Sequence, residues 1–75
     1  MTLDPGVRDR LIEQARALAA ARGWAWHDPA DVTTGAERGE PVWIVRSNAL
    51  NRGQNVLIVF RQSDREVVRT AYLPR

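Results

Sequence analysis

His27-Asp28 is the one place in these 75 residues where an imidazole and a carboxylate stand side by side. A catalytic base and the carboxylate that orients it must point at one another, and neighbouring chain positions rarely do. Ser47 and Ser63 lack the G-x-S-x-G turn that exposes a serine nucleophile. With a single histidine and no cysteine there is no metal-ligand cluster, and G35-x-x-x-G39 lacks the lysine and the strand–turn–helix setting of a phosphate-cradling loop. The expectation is therefore no catalytic residue, no metal and no cofactor, with a capping or solvent role for His27-Asp28. What remains is guanidinium chemistry.

All eleven basic residues are arginine, set against nine acids for a net charge of +2, and the isoelectric point is near 10.4. Ten alanines beside a lysine-free basic set look like the codon bias of a GC-rich genome rather than an adaptation for phosphate. The distribution is more informative than the sum. Residues 1–41 carry five arginines against seven acids (net −2), and residues 42–75 carry six against two (net +4). Any basic surface thus belongs to the second half, where Arg46, Arg61 and Arg69 sit among apolar residues. Arginine stems cover apolar area and their heads hydrogen-bond, a combination enriched at protein contacts. The same side chains lined across a sheet, with Trp43 or Tyr72 as stacking surfaces, would suit a nucleic-acid strand.

The elements that must position these arginines follow from periodicity. Asp4-Pro5 opens a helix, the aspartate as N-cap and proline at the first helical position. Val7, Leu11, Ile12, Ala15, Leu18 and Ala19 recur at three- and four-residue steps on one alanine-rich stripe, and Gly23 ends the helix, giving about 5–22. W24-A-W-H reads as coil or a brief extended piece with both indoles on one side. Asp28-Pro29 repeats the cap-and-proline pattern and could begin a single helical turn, and T-T-G-A-E-R-G-E-P (33–41) reads as a polar loop. From Val42 the pattern is β: strands at 42–47, 55–62 and 66–73, with a hairpin forced by Ser63-Asp64-Arg65 and a longer amide-rich connection over 48–55. In that connection Asn51 and Gly53 are the residues suited to positive φ; Asn48, Asn51, Arg52, Gln54 and Asn55 either recognise a partner or satisfy their own backbone.

The expected fold is thus a single α+β domain over 1–75, one N-terminal helix packed on a three-stranded antiparallel β-meander (α-β-β-β). Leu11, Leu18, Trp43, Ile58, Phe60 and one of Val67/Val68 form its core. The central strand, Val56 to Phe60, is apolar at every position, so both of its faces want cover. One helix covers one face. Which face of the third strand joins which face of the second depends on the hairpin register, which the sequence leaves open. Either way, a second face remains that carries aliphatic residues and arginines among Arg46, Arg61 and Arg69. A chain this short buries only roughly 60–65% of its unfolded surface, and without disulfides or metal, association is the stabiliser left.

The order helix, Gly23, polar loop, W43-I-V45, Gly53 and the hairpin S-D-R-E-V-V (63–68) resembles the helix-plus-meander unit of PepSY-type and cystatin-like small domains, including bacterial immunity proteins of that general shape. The resemblance implies a binding or inhibitory module and assigns no site residues. Together these readings point to a non-catalytic protein-interaction module. It is expected to be homodimeric through the second sheet face or an edge strand, with Arg46, Arg61, Arg69, Trp43 and Tyr72 as contact candidates. A heterologous protein partner and a nucleic acid are the alternatives. No apolar run approaches the ~18 residues of a membrane span, and M-T-L-D-P-G lacks the layout of a signal peptide, so a soluble cytoplasmic protein is expected.

Overall fold

A computed structural model describes residues 4–51 and 53–73. Helix α1 runs Pro5–Ala21, followed by four strands: β1 (Asp31–Glu37), β2 (Glu40–Arg46), β3 (Asn55–Arg61) and β4 (Val67–Leu73). They form one antiparallel sheet in the order β1-β2-β3-β4. The α+β class and the meander are as expected; the number of strands is not.

The helix ends follow their local chemistry. Asp4 accepts from the Gly6 N–H at 2.7 Å, satisfying one of the donors that a helix start leaves free. At the other end Gly23 adopts φ +72°. Its N–H reaches the Ala20 carbonyl at 3.1 Å and that of Trp24 reaches the Ala19 carbonyl at 2.9 Å, the paired closure of a Schellman motif. That closure turns the chain back so that Trp24 packs on the core.

Leu11, Ala15 and Ala19, four residues apart, are the fully buried residues of α1. They meet Val45, Val56, Ile58 and Phe60 of the sheet, with Val7, Ile12, Leu18, Trp24, Trp26, Val32, Trp43 and Tyr72 packed around them. Two alanines at the centre of the stripe let the helix axis approach the sheet closely. The expected core members Leu11, Ile58 and Phe60 are buried, and Leu18 and Trp43 are half-buried. Val67 and Val68 are not core residues: they remain 42% and 39% exposed. The reason is a β-bulge. Val59 pairs with Arg69 but Phe60 with Val67, which puts one extra residue into the start of β4 and takes that end of the outer strand out of the regular alternation that would bury it.

The segment read as a polar loop is instead largely strand β1, paired along its length with β2 from Asp31↔Arg46 to Glu37↔Glu40. Its turn is Arg38-Gly39, with φ +53° and +79°, a two-residue connection with both centres left-handed, as in a type I′ hairpin. No helical turn follows Asp28-Pro29. That peptide bond is cis, and the segment is tied to the loop after β2 through Asn48 N–H to the His27 carbonyl (2.6 Å) and Ala49 N–H to the Pro29 carbonyl (2.9 Å). Among the described residues of the 48–55 connection, positive φ falls on Asn48, Gly53 and Gln54 rather than on Asn51.

The close helix–sheet approach makes a direct prediction. Ala15→Leu, at a position with no exposed area, overfills the contact and lowers unfolding free energy by about 1–3 kcal/mol. Ala17→Leu, on the exposed side of α1, leaves it within about 0.5 kcal/mol. Urea denaturation of the two variants measures the difference.

Candidate interaction surface

Cross-strand pairing sorts the sheet residues into two faces. Val32↔Val45↔Ile58↔Thr70 and Thr34↔Trp43↔Phe60 lie on the helix side. Thr33↔Ile44↔Val59↔Arg69, Asp31↔Arg46↔Leu57↔Ala71 and Gly35↔Val42↔Arg61 lie on the other. All three candidate arginines therefore share the face that α1 does not cover. Trp43 and Tyr72 do not join them. Tyr72 is opposite Val56 on the helix side and stacks on Trp24 with ring centroids 5.8 Å apart.

Nor do the other indoles close the second face. Trp24 and Trp26 pack against the helix-side core, with Arg22 over Trp24 and Arg16 over Trp26. Trp26 donates to Asp28 at 3.2 Å. The connecting segment extends the sheet sideways, as β1, instead of folding over it.

On the second face Val42 and Val59 are nonetheless 1% and 0% exposed. Arg61 is the direct cross-strand neighbour of Val42, and Arg69 of Val59, so arginine stems lie beside both valines. The arginine heads are held by acids. Arg69 meets Glu37 with two parallel bonds, Nε to Oε1 at 3.1 Å and Nη2 to Oε2 at 3.2 Å. Arg61 bridges Glu40 at 3.1 Å and Asp64 at 2.9 Å, and Arg46 lies 3.7 Å from Asp31 while donating to the Ala49 carbonyl.

The Arg69–Glu37 pair joins β4 to β1, the two outer strands. Three inter-strand gaps put those strands about 14 Å apart, so both side chains must lie flat over the face to meet. Beside this bridge is an open cavity of about 330 Å³, lined by Val42, Arg61, Val67, Val68 and Arg69 with Glu37, Arg38 and Glu40. Toward the other end Ile44, Leu57 and Ala71 are half-buried and Leu73 is 46% exposed.

The acids Glu37 and Glu40 escape a sequence reading that begins the β pattern at Val42, because their placement depends on the β1–β2 hairpin. The signal available was Arg38-Gly39, a tight turn between V-T-T (32–34) and V-W-I-V (42–45), two short runs containing β-branched residues. The amide-rich connection satisfies its own backbone. Asn55 donates to the carbonyls of Ser47 (2.8 Å), Asn48 (3.0 Å) and Asn51 (3.3 Å) and accepts from the Gly53 N–H. Asn48 donates to the Gly53 carbonyl, and the fully buried Ser47 hydroxyl accepts from the Val56 N–H. Arg52 lies outside the described residues. His27 is exposed, and among the described residues no group of His, Cys, Asp or Glu has metal-binding geometry. No helix among them is long and apolar enough to cross a membrane.

Comparison of the chain with protein-family models, with curated proteins and with solved structures finds no match.

Asp64 offers a probe of the charged end of the face. The Glu66 backbone N–H, at 3.1 Å, holds its carboxyl below the ordinary value, and the Arg61 guanidinium adds to the effect. A depressed folded-state pKa stabilises above the unfolded value, and that contribution is lost as pH falls through the folded one. Arg61→Gln raises the Asp64 pKa only part of the way back, since the backbone donor remains; carboxyl chemical shifts followed through an acid titration read the change. Asn55→Ala leaves buried carbonyls without their donor and costs about 2–3 kcal/mol, measured by thermal unfolding.

Proposed function

We propose that the protein is a non-catalytic, cytoplasmic interaction module whose partner is a second copy of itself, engaged through the sheet face that α1 leaves uncovered or through the strand edge that borders it. One observation carries this reading: Arg46, Arg61 and Arg69, the strand arginines of that surface, are each paired with an acid of the same chain. A strip of free guanidinium groups would favour phosphate and repel its own copy. Alternating Arg46/Asp31, Arg61/Glu40 and Arg69/Glu37 pairs around Ile44, Leu57, Val59 and Ala71 give a surface of both signs with an aliphatic centre. Such a surface can face itself without setting like charges together.

The exposed aliphatics support the same reading. Val67, Val68 and Leu73 are three of the four large hydrophobic side chains left exposed among the described residues, and all three belong to β4. Exposed aliphatics concentrated on one outer strand favour an interaction along that strand.

Light scattering across a concentration series tests the proposal. The expected result is a particle of twice the 8.5 kDa chain mass by tens of micromolar. Leu73→Asp should weaken association by at least about tenfold, the effect of ~1.4 kcal/mol. Leu50→Asp, 82% exposed in the loop after β2, should leave it unchanged. A strict monomer at several hundred micromolar would refute the proposal. A steep, salt-sensitive affinity for single-stranded nucleic acid would favour phosphate recognition in its place.

A further inference from the structure

The hydrogen-bond phase of the sheet identifies which backbone groups of β4 remain open. The Arg61 N–H donates to the Glu66 carbonyl at 2.8 Å, so Arg61 turns its backbone groups toward β4. By alternation Val59, Leu57 and Asn55 do the same. Their partners Arg69, Ala71 and Leu73 are consequently turned inward to β3, and Thr70 and Tyr72 present their N–H and C=O groups to the outer edge. The Ser47 N–H to Val56 carbonyl bond at 3.0 Å extends the same phase across β2, leaving Val32, Thr34 and Ala36 as the outward residues of β1.

Resting on the self-association proposed above, we infer its geometry: two chains pair through β4, antiparallel about a two-fold axis at Thr70, joining two four-stranded sheets into one of eight strands. This register is regular over Arg69–Leu73 and meets the bulge at Val68. Thr70 of each copy faces Thr70 of the other and Arg69 faces Ala71, while Tyr72 and Leu73 of one copy come against the bulged Val67-Val68 segment of the other. Every large aliphatic exposed on β4 acquires an apolar neighbour, and no charge meets a like charge. Leu73 of the second copy arrives beside Val67, at the rim of the cavity lined by Val42, Arg61 and Arg69. The Arg69 guanidinium, which would otherwise guard the edge, is drawn over the sheet face by Glu37.

The other edge is unsuited to the same pairing. Two copies of β1 matched about Thr34 set Asp31 against Glu37 at both ends, and like charges directly opposite are destabilising. Pairing β1 of one chain with β4 of the next would leave a free edge at each end and propagate into a filament, whereas the two-fold β4 contact closes on itself.

Amide hydrogen exchange of the full chain, followed by NMR from low micromolar to several hundred micromolar, tests the inference residue by residue. Exchange at Thr70 and Tyr72 should slow at least about tenfold as the dimer fills. Arg69 and Ala71, bonded to β3 in either state, should change less, and Val32, Thr34 and Ala36 should not change. Thr70→Pro, which removes an outward donor that the monomer does not use in its sheet, should yield a monomer; Thr34→Pro, its counterpart on β1, should remain dimeric. If Thr70→Pro fails to fold, the exchange data on the unmodified chain decide alone. A dimer whose Thr70 and Tyr72 amides exchange independently of concentration overturns the β4 pairing and leaves self-association standing. A chain that is monomeric throughout overturns both.

Discussion

Burial of β3 from both sides is the constraint around which the other elements are arranged. Val56, Ile58 and Phe60 point toward α1, and Val59 points the opposite way with no exposed area. On the helix side the cover is conventional: a stripe stepped by four residues, two alanines for close approach, and two indoles delivered by the Gly23 closure. On the far side the sheet is screened by its own long side chains. Arg61 and Arg69 lie beside Val42 and Val59, and Glu37 and Glu40 hold their heads.

A screen of this kind excludes water incompletely. Partly exposed ion pairs contribute little each, roughly 0–1 kcal/mol, and the aliphatics between them keep part of their surface wet. Ile44, Leu57, Ala71 and Leu73 are where the cover runs thin. The same neutralisation lets the arginine heads lie down over apolar residues. In this sheet the arginines serve as amphipathic cover.

Much of this was legible in the sequence because its physics is local. The N-cap, the apolar stripe and the glycine stop of α1 depend on neighbours within a few residues, and the period-two runs from Val42 onward are dense in β-branched residues. β1 was not legible. Its composition, D-V-T-T-G-A-E, supplies one large apolar residue, Val32, because an outer strand with one exposed face needs little more. Its Gly35 has a reason visible only in three dimensions: a Cβ there would come within 3.2 Å of Ile44 Cδ1. The hairpin Arg38-Gly39 was obscured because arginine occupies a left-handed position more often filled by Asn or Asp. Register between β3 and β4 was open for a related reason, since Arg65, at φ +60°, takes the place where a glycine would have announced the turn. Alternation alone could group Arg46, Arg61 and Arg69 with aliphatic neighbours, but only the added strand reveals the acids that hold them.

The Glu37–Arg69 bridge has a mechanical meaning. An open sheet ordinarily loosens from its margins, each outer strand peeling away independently of the far one. Here the two margins are clasped across the face, so neither can lift without releasing the other's counter-charge. The ribbon is less a loose-ended mat than a hoop fastened by a light buckle, one that costs at most about 1 kcal/mol to open and that both borders share.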